Sequence, residues 1–112
     1  MKRVKRHLIF KTRVNAAGTE FFSVKAMSLD GMREYFSAAQ DAKTFRSAIA
    51  KINKDYEYRY AHCYRGYEYI QDFGEIKVDG PLDVQKTSKD ELIAAIREMN
   101  LNGIADLVES RV

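Results

Sequence analysis

A single cysteine, Cys63, stands among the 112 residues, so no internal disulfide can staple the chain and a reducing compartment is expected. One cysteine and two histidines, His7 and His62, fall short of a four-ligand zinc site without carboxylates, and neither metal nor cofactor is expected. One proline and six glycines, set against 46% apolar residues, are not the composition of a disordered or low-complexity chain. Long hydrophobic runs are also missing. After the basic stretch from Lys2 to Arg6 only Leu8, Ile9 and Phe10 form an apolar run before Lys11, too short for a secretory core or a membrane span. A cytoplasmic protein without a membrane partner is the expectation. The chain lacks a Gly-rich phosphate loop, a dinucleotide fingerprint, a nucleophile-elbow serine and a calcium loop. His62 and Cys63 are adjacent and diverge on either a helix or a strand, so they form no catalytic dyad. A non-enzymatic protein is expected, with no catalytic residues.

What the chain does have is a charge split. Residues 1 to 65 carry 14 Lys/Arg against 6 Asp/Glu, a net of +8, while residues 66 to 112 carry 5 against 10, a net of −5. That asymmetry directs the N-terminal half toward an anionic partner.

At this length one domain over residues 1–112 is expected, of α+β class, with residues 1–6 as a basic arm and residues 88–112 as an acidic helical unit. Val4 to Val14 alternates with period two, Leu8, Phe10 and Thr12 on one side and His7, Lys11 and Arg13 on the other, which predicts a half-buried strand. Turn residues from Asn15 to Thr19 lead to a second strand over Glu20 to Ser28, in a register that sets Phe10 opposite Val24 and Thr12 beside Phe22. Leu29-Asp30-Gly31 fits a three-residue loop with Gly31 left-handed, returning a third strand over Met32 to Ala38 with Phe36 opposite Val24. The N-terminal third thus reads as a three-stranded meander. Asp41 is placed to cap a helix starting at Ala42, whose stripe of Phe45, Ala48, Ile49 and Ile52 would cover the apolar side of the sheet.

Beyond Asn53 two readings exist. Tyr56, Tyr60, Cys63 and Tyr67 could continue the helical stripe; alternatively Tyr56 to Tyr64 and Tyr67 to Phe73 form a hairpin about Arg65-Gly66, with Arg59 facing Asp72. Tyr-rich alternation and the complementary charge pair favour the hairpin. Asp79-Gly80-Pro81 is a break, and Ser88 with Glu91 forms a capping box opening a helix that buries Leu92, Ile93, Ile96 and Met99. Asn102 and Gly103 end it and start a short last helix carrying Ile104, Leu107 and Val108.

The non-apolar face of the meander then shows Lys11, Arg13, Lys25 and Arg33, interleaved with Phe21 and Tyr35. Cations at alternate strand positions lie about 7 Å apart and can track phosphates, while aromatic neighbours stack on bases. Lys2, Arg3, Lys5 and Arg6 extend this patch as an arm. Nucleic acid is the expected partner, DNA ahead of RNA, and the expected role is accessory or regulatory. A rival reading uses the tyrosines: Tyr58, Tyr60, Tyr64, Tyr67 and Tyr69 on the hairpin, with the acidic helices, would make a protein-interaction module or inhibitor. A homodimer in which the acidic helices of one copy dock on the basic sheet of another is a third outcome. Glu68, Asp72 and Glu75 cluster in sequence, but a solvated strand edge explains them without an acid and base pair.

The order of a three-stranded meander followed by a packing helix, over about residues 4 to 53, resembles small sheet-based DNA-binding domains such as those that bind arm sites in phage integrases. The resemblance lies in element order and implies a sheet face applied to DNA; the small size and the charge of the chain suggest a phage-derived protein.

Overall fold

The computed structural model describes residues 3–63 and 66–112. Alternation in the first two segments does give strands, β1 (Val4–Val14) and β2 (Glu20–Met27), antiparallel, with Phe10 opposite Val24 and Thr12 opposite Phe22. Asn15 makes their turn: its Oδ1 accepts from the backbone N–H of Ala17 and Thr19, and Gly18 supplies the left-handed conformation at φ +85°.

The expected third strand is instead a helix, α1 (Leu29–Tyr35). Ser28 Oγ accepts from the Gly31 N–H at 3.0 Å and Asp30 sits in the first turn, so a local cap and a favourable dipole override the hairpin-like Leu-Asp-Gly signal. Gly31 is a helical residue, not a left-handed turn. Leu29, Met32 and Phe36 recur at helical spacing, Met32 is fully buried, and Phe36 does not pair with Val24. With the third strand gone, the element order no longer matches the meander domains it resembled.

A 3-10 turn at Ser37–Ala39 leads to α2 (Phe45–Cys63). Its start is closed by Thr44, whose Oγ1 accepts from Ser47 N–H at 3.1 Å; Asp41, the expected cap, pairs with Lys51 at 3.0 Å instead. The helix continues through the tyrosine segment, and the hairpin reading fails. Tyr56 extends the buried stripe of Ala48 and Ile52, and Asp55 bonds Arg59 one turn on at 3.0 Å, so both burial and charge support helix here. Arg59 therefore does not meet Asp72. Tyr64 and Arg65 lie outside the described residues.

β3 (Tyr67–Val78) pairs with β1, and β4 (Asp83–Lys86), after the expected break at Asp79-Gly80-Pro81, pairs with β2, giving one antiparallel sheet in the order β3-β1-β2-β4. Between the His7–Glu75 and Ile9–Asp72 pairs, β3 has one residue more than β1, a bulge relieved by Gly74 at φ +105°. Asp72 spans it, accepting from Gly74 N–H at 2.9 Å and meeting His7 Nδ1 at 2.8 Å.

Helices pack on both faces of the sheet. Leu8, Phe10, Val24 and Phe73 pack beneath α3 (Lys89–Glu98) and α4 (Asn102–Arg111), against Leu92, Ile96 and Val108. Ile9 and Ile70 on the opposite face pack beneath α1 and α2, against Met32, Ile52 and Tyr56. The stripe of Phe45, Ala48, Ile49 and Ile52 thus covers the side opposite the one expected. Alternation in β1 is imperfect: Ile9 shares the face of Lys11 and Arg13, and Ile70 on β3 joins it to make an apolar patch on that face. The Ser88 and Glu91 capping box forms as expected, with Ser88 Oγ accepting from Glu91 N–H at 3.1 Å. Met99 is 45% exposed because α3 stops before it, and Asn100 at φ +62° reverses the chain. Asn102 and Gly103 start the last helix, α4, as expected, while α3 already ends at Glu98. Among the described residues no helix is long and apolar enough to cross a membrane.

Candidate functional site

The face under α2 is covered only over β3 and β1; over β1, β2 and β4 it opens into a pocket of about 180 Å³ walled by Tyr35 and Phe36 of the α1 end. Strand register fixes its floor as three rows. Arg13 faces Phe21; Lys11 faces Ser23, which faces Gln85; Ile9 faces Lys25, which faces Asp83. Strands lie about 4.8 Å apart and alternate residues about 7 Å apart, so Ser23 occupies the middle of a small lattice with Lys11, Arg13 and Lys25 around it.

Each cation is held differently. Lys11 Nζ bonds Glu68 Oε1 at 2.7 Å and lies 5.2 Å from the Tyr56 ring centre. Burial alone would lower the Lys11 pKa, but the Glu68 bond and the Tyr56 and Glu68 charges outweigh it and hold the ammonium above its ordinary value. The buried Tyr56 hydroxyl is pushed up by desolvation, against the pull of Lys11. Lys25 Nζ sits 3.6 Å over the Tyr35 ring and 3.7 Å from Asp83. Arg13 lies 5.5 Å over Phe21, is exposed, and makes no ion pair among the described residues. It is the cation most open to an incoming anion.

Five expected binding residues, Lys11, Arg13, Phe21, Lys25 and Tyr35, therefore line one pocket. Arg33 does not join them. Its Nε donates to Ala42 O at 2.6 Å and its Nη1 to Asp30 at 2.9 Å, which ties α1 to the segment before α2. Lys2 lies outside the described residues. Lys5 and Arg6 are not an arm but part of β1, opposite Lys77 and Ile76, and Arg3 sits beside the α3–α4 connection. Ser23 and Gln85 were not singled out from the sequence. Ser23 was within reach, since it alternates with Phe21 and Lys25, but Gln85 needed the long-range pairing of β4 with β2.

The tyrosines expected on one hairpin are split between α2 and β3. Tyr58, Tyr60, Tyr67 and Tyr69 are exposed; Tyr60 meets Tyr67 edge to face at 6.0 Å, and Tyr58 stacks on His62 at 4.1 Å. His7 stacks on Phe45 at 3.5 Å, at the opposite end of α2 from Cys63, a separation of about 27 Å along the helix, so the two form no dyad. Glu68 pairs with Lys11, Asp72 is hydrogen-bonded to His7, and Glu75 stands 4.0 Å from His7, so these carboxylates are engaged by side chains of β1. Among the described residues no three His, Cys, Asp or Glu side chains are grouped to hold a metal ion.

No protein-family model matches the chain, and no curated protein or solved structure does either.

Proposed function

We propose that the chain is a small non-enzymatic nucleic-acid-binding protein, accessory or regulatory in role, that engages its ligand through the Lys11, Arg13 and Lys25 pocket. The supporting observation is Arg13: an exposed guanidinium over an aromatic ring, without a carboxylate partner among the described residues, in the same open pocket as two lysines and Tyr35. Backbone phosphates would meet Arg13 first, and Tyr35 offers a ring for stacking. DNA is the first ligand to try. A reducing, cytoplasmic setting suits the exposed thiol of Cys63.

Fluorescence anisotropy with DNA and RNA probes tests the reading. With three cations engaged, log K should fall against log salt with a slope of about −2 to −3. Arg13→Ser with Lys25→Ser should abolish most of the binding; unchanged affinity in that double variant, or no binding of any probe at low salt, would reject it. A second reading rests on the exposed Tyr60 and Tyr67 pair, which would anchor a protein partner. A Tyr60→Ala, Tyr67→Ala variant that keeps nucleic-acid binding but loses a salt-resistant protein partner would favour it.

A further inference from the structure

Resting on the nucleic-acid reading above, we infer that the pocket over Ser23 takes one unstacked nucleotide of a single strand, its phosphate among Lys11, Arg13 and Lys25 and its base against Tyr35. Three features support this. The first is the lattice: Ser23 stands opposite Lys11, diagonal to Arg13 and two residues from Lys25, so one anion above its hydroxyl is within reach of all three side chains. A row of cations spread along a strand would track a backbone; cations gathered around one hydroxyl hold a single phosphate.

The second feature is shape. The cavity is a recess of about 180 Å³ whose side is raised by Tyr35 and Phe36, not a flat or grooved plane. Bases in a duplex are stacked and paired, and cannot enter a recess without being extruded. A single strand can turn one base inward at much lower cost. Tyr35 is 61% exposed; Lys25 Nζ lies 3.6 Å over one face of its ring, so the base packs on the part that Lys25 leaves open, and Gln85 adds an amide to the same pocket for the edge of a base.

The third is the placement of the carboxylates. Asp83 lies at the pocket margin near Lys25, while Glu68 holds Lys11 from the β3 side. A second phosphate beside the first would meet Asp83, so the pocket favours one phosphate with a base next to it over a continuous run of phosphates.

Binding is measured by anisotropy with three labelled probes: a short mixed-sequence DNA single strand, an abasic strand of equal length and charge, and the corresponding duplex. The intact single strand should bind at least tenfold tighter than either other probe. Tyr35→Ala should lower affinity for the intact strand at least threefold while leaving the abasic strand unchanged, and Ser23→Ala should weaken both strands. Because Tyr35 is exposed, its variant should keep the wild-type melting temperature; Gln85→Ala, also exposed, serves if it does not. Equal binding of duplex and single strand, or of abasic and intact strands, overturns the single-nucleotide pocket while leaving nucleic-acid binding standing. Failure of all three probes and of an RNA strand of the same sequence overturns both. A free nucleoside monophosphate that binds in the pocket when no strand does would also overturn it, because the ligand would then be a small nucleotide.

Discussion

Asn53, midway along α2, bonds both backbone groups of Ile70 on the outer strand β3: its Nδ2 donates to Ile70 O and its Oδ1 accepts from Ile70 N–H, each at 2.9 Å. The side chain stands where a neighbouring strand would stand. It satisfies the outward-facing donor and acceptor of a long edge strand and fixes the height of α2 over the sheet. Asn53→Ala leaves both groups without a protein partner and should cost about 2–3 kcal/mol in urea unfolding. A loss below about 0.5 kcal/mol would show that water replaces the amide.

Gly66 precedes β3 at φ +89°, and a β-carbon there would overlap Val14 O and come within 3.0 Å of Asn15. Gly74 in the bulge has a similar φ of +105° but open space around it. Gly74→Ala should therefore cost about 1–2 kcal/mol, from backbone strain alone. Gly66→Ala should cost distinctly more, since strain and overlap add. Equal losses would mean that the β1–β2 turn moves aside freely.

Lys11 and Tyr56 set an alkaline limit on stability. Both groups have raised folded-state pKa values, so the fold retains their protons after the unfolded chain has released them. Their contribution is complete below the ordinary values of 10.0 for Tyr and 10.5 for Lys and declines as pH rises above them. The melting temperature should fall above about pH 10, and Lys11→Met and Tyr56→Phe should each flatten that fall. A wild-type profile that matches both variants would contradict the coupling.

Glu68 and Asp83 restrain two of the pocket cations. If nucleic acid binds there, Glu68→Gln and Asp83→Asn should each raise affinity about two- to fivefold at low salt and make the salt dependence steeper, because a freed cation can release one more counterion. Unchanged affinity in both would place the contacts away from this pocket.

Ile96 and Ile52 are almost completely buried, one under each face of the sheet. Either one changed to Ala should cost about 2–4 kcal/mol by loss of transfer energy and by the cavity left behind. Denaturant unfolding should remain a single transition in both variants, because the two layers share β1 and β2. A separate early transition in Ile96→Ala would show that α3 and α4 melt as an independent unit.

Where the determining interactions are local, the sequence alone sufficed. Alternation set β1 and β2 and their register, Asn15 to Thr19 set the turn, and Ser88 with Glu91 set the start of α3. The α+β class follows from those elements. The sequence also collected Lys11, Arg13, Phe21, Lys25 and Tyr35 on one side, and they line one pocket, because Phe10 opposite Val24 fixes which residues look the other way. Tyr35 reaches that side from a helix and not from the expected strand.

Only the tertiary structure decided how the sheet is completed and what covers it. The Tyr56 to Cys63 segment has a strand-like alternation and a helical stripe at once, and burial of Tyr56 against Lys11 and Ile70 selects the helix. The pairing of β3 with β1 and of β4 with β2 joins residues far apart in the chain, and no local propensity encodes which partner wins. Those pairings place α3 and α4 on the Phe10 face, bring α2 onto the apolar patch of Ile9 and Ile70, and leave the rest of that face open around Ser23. Charge and alternation thus supplied the pocket's residues, and long-range strand pairing made them a pocket.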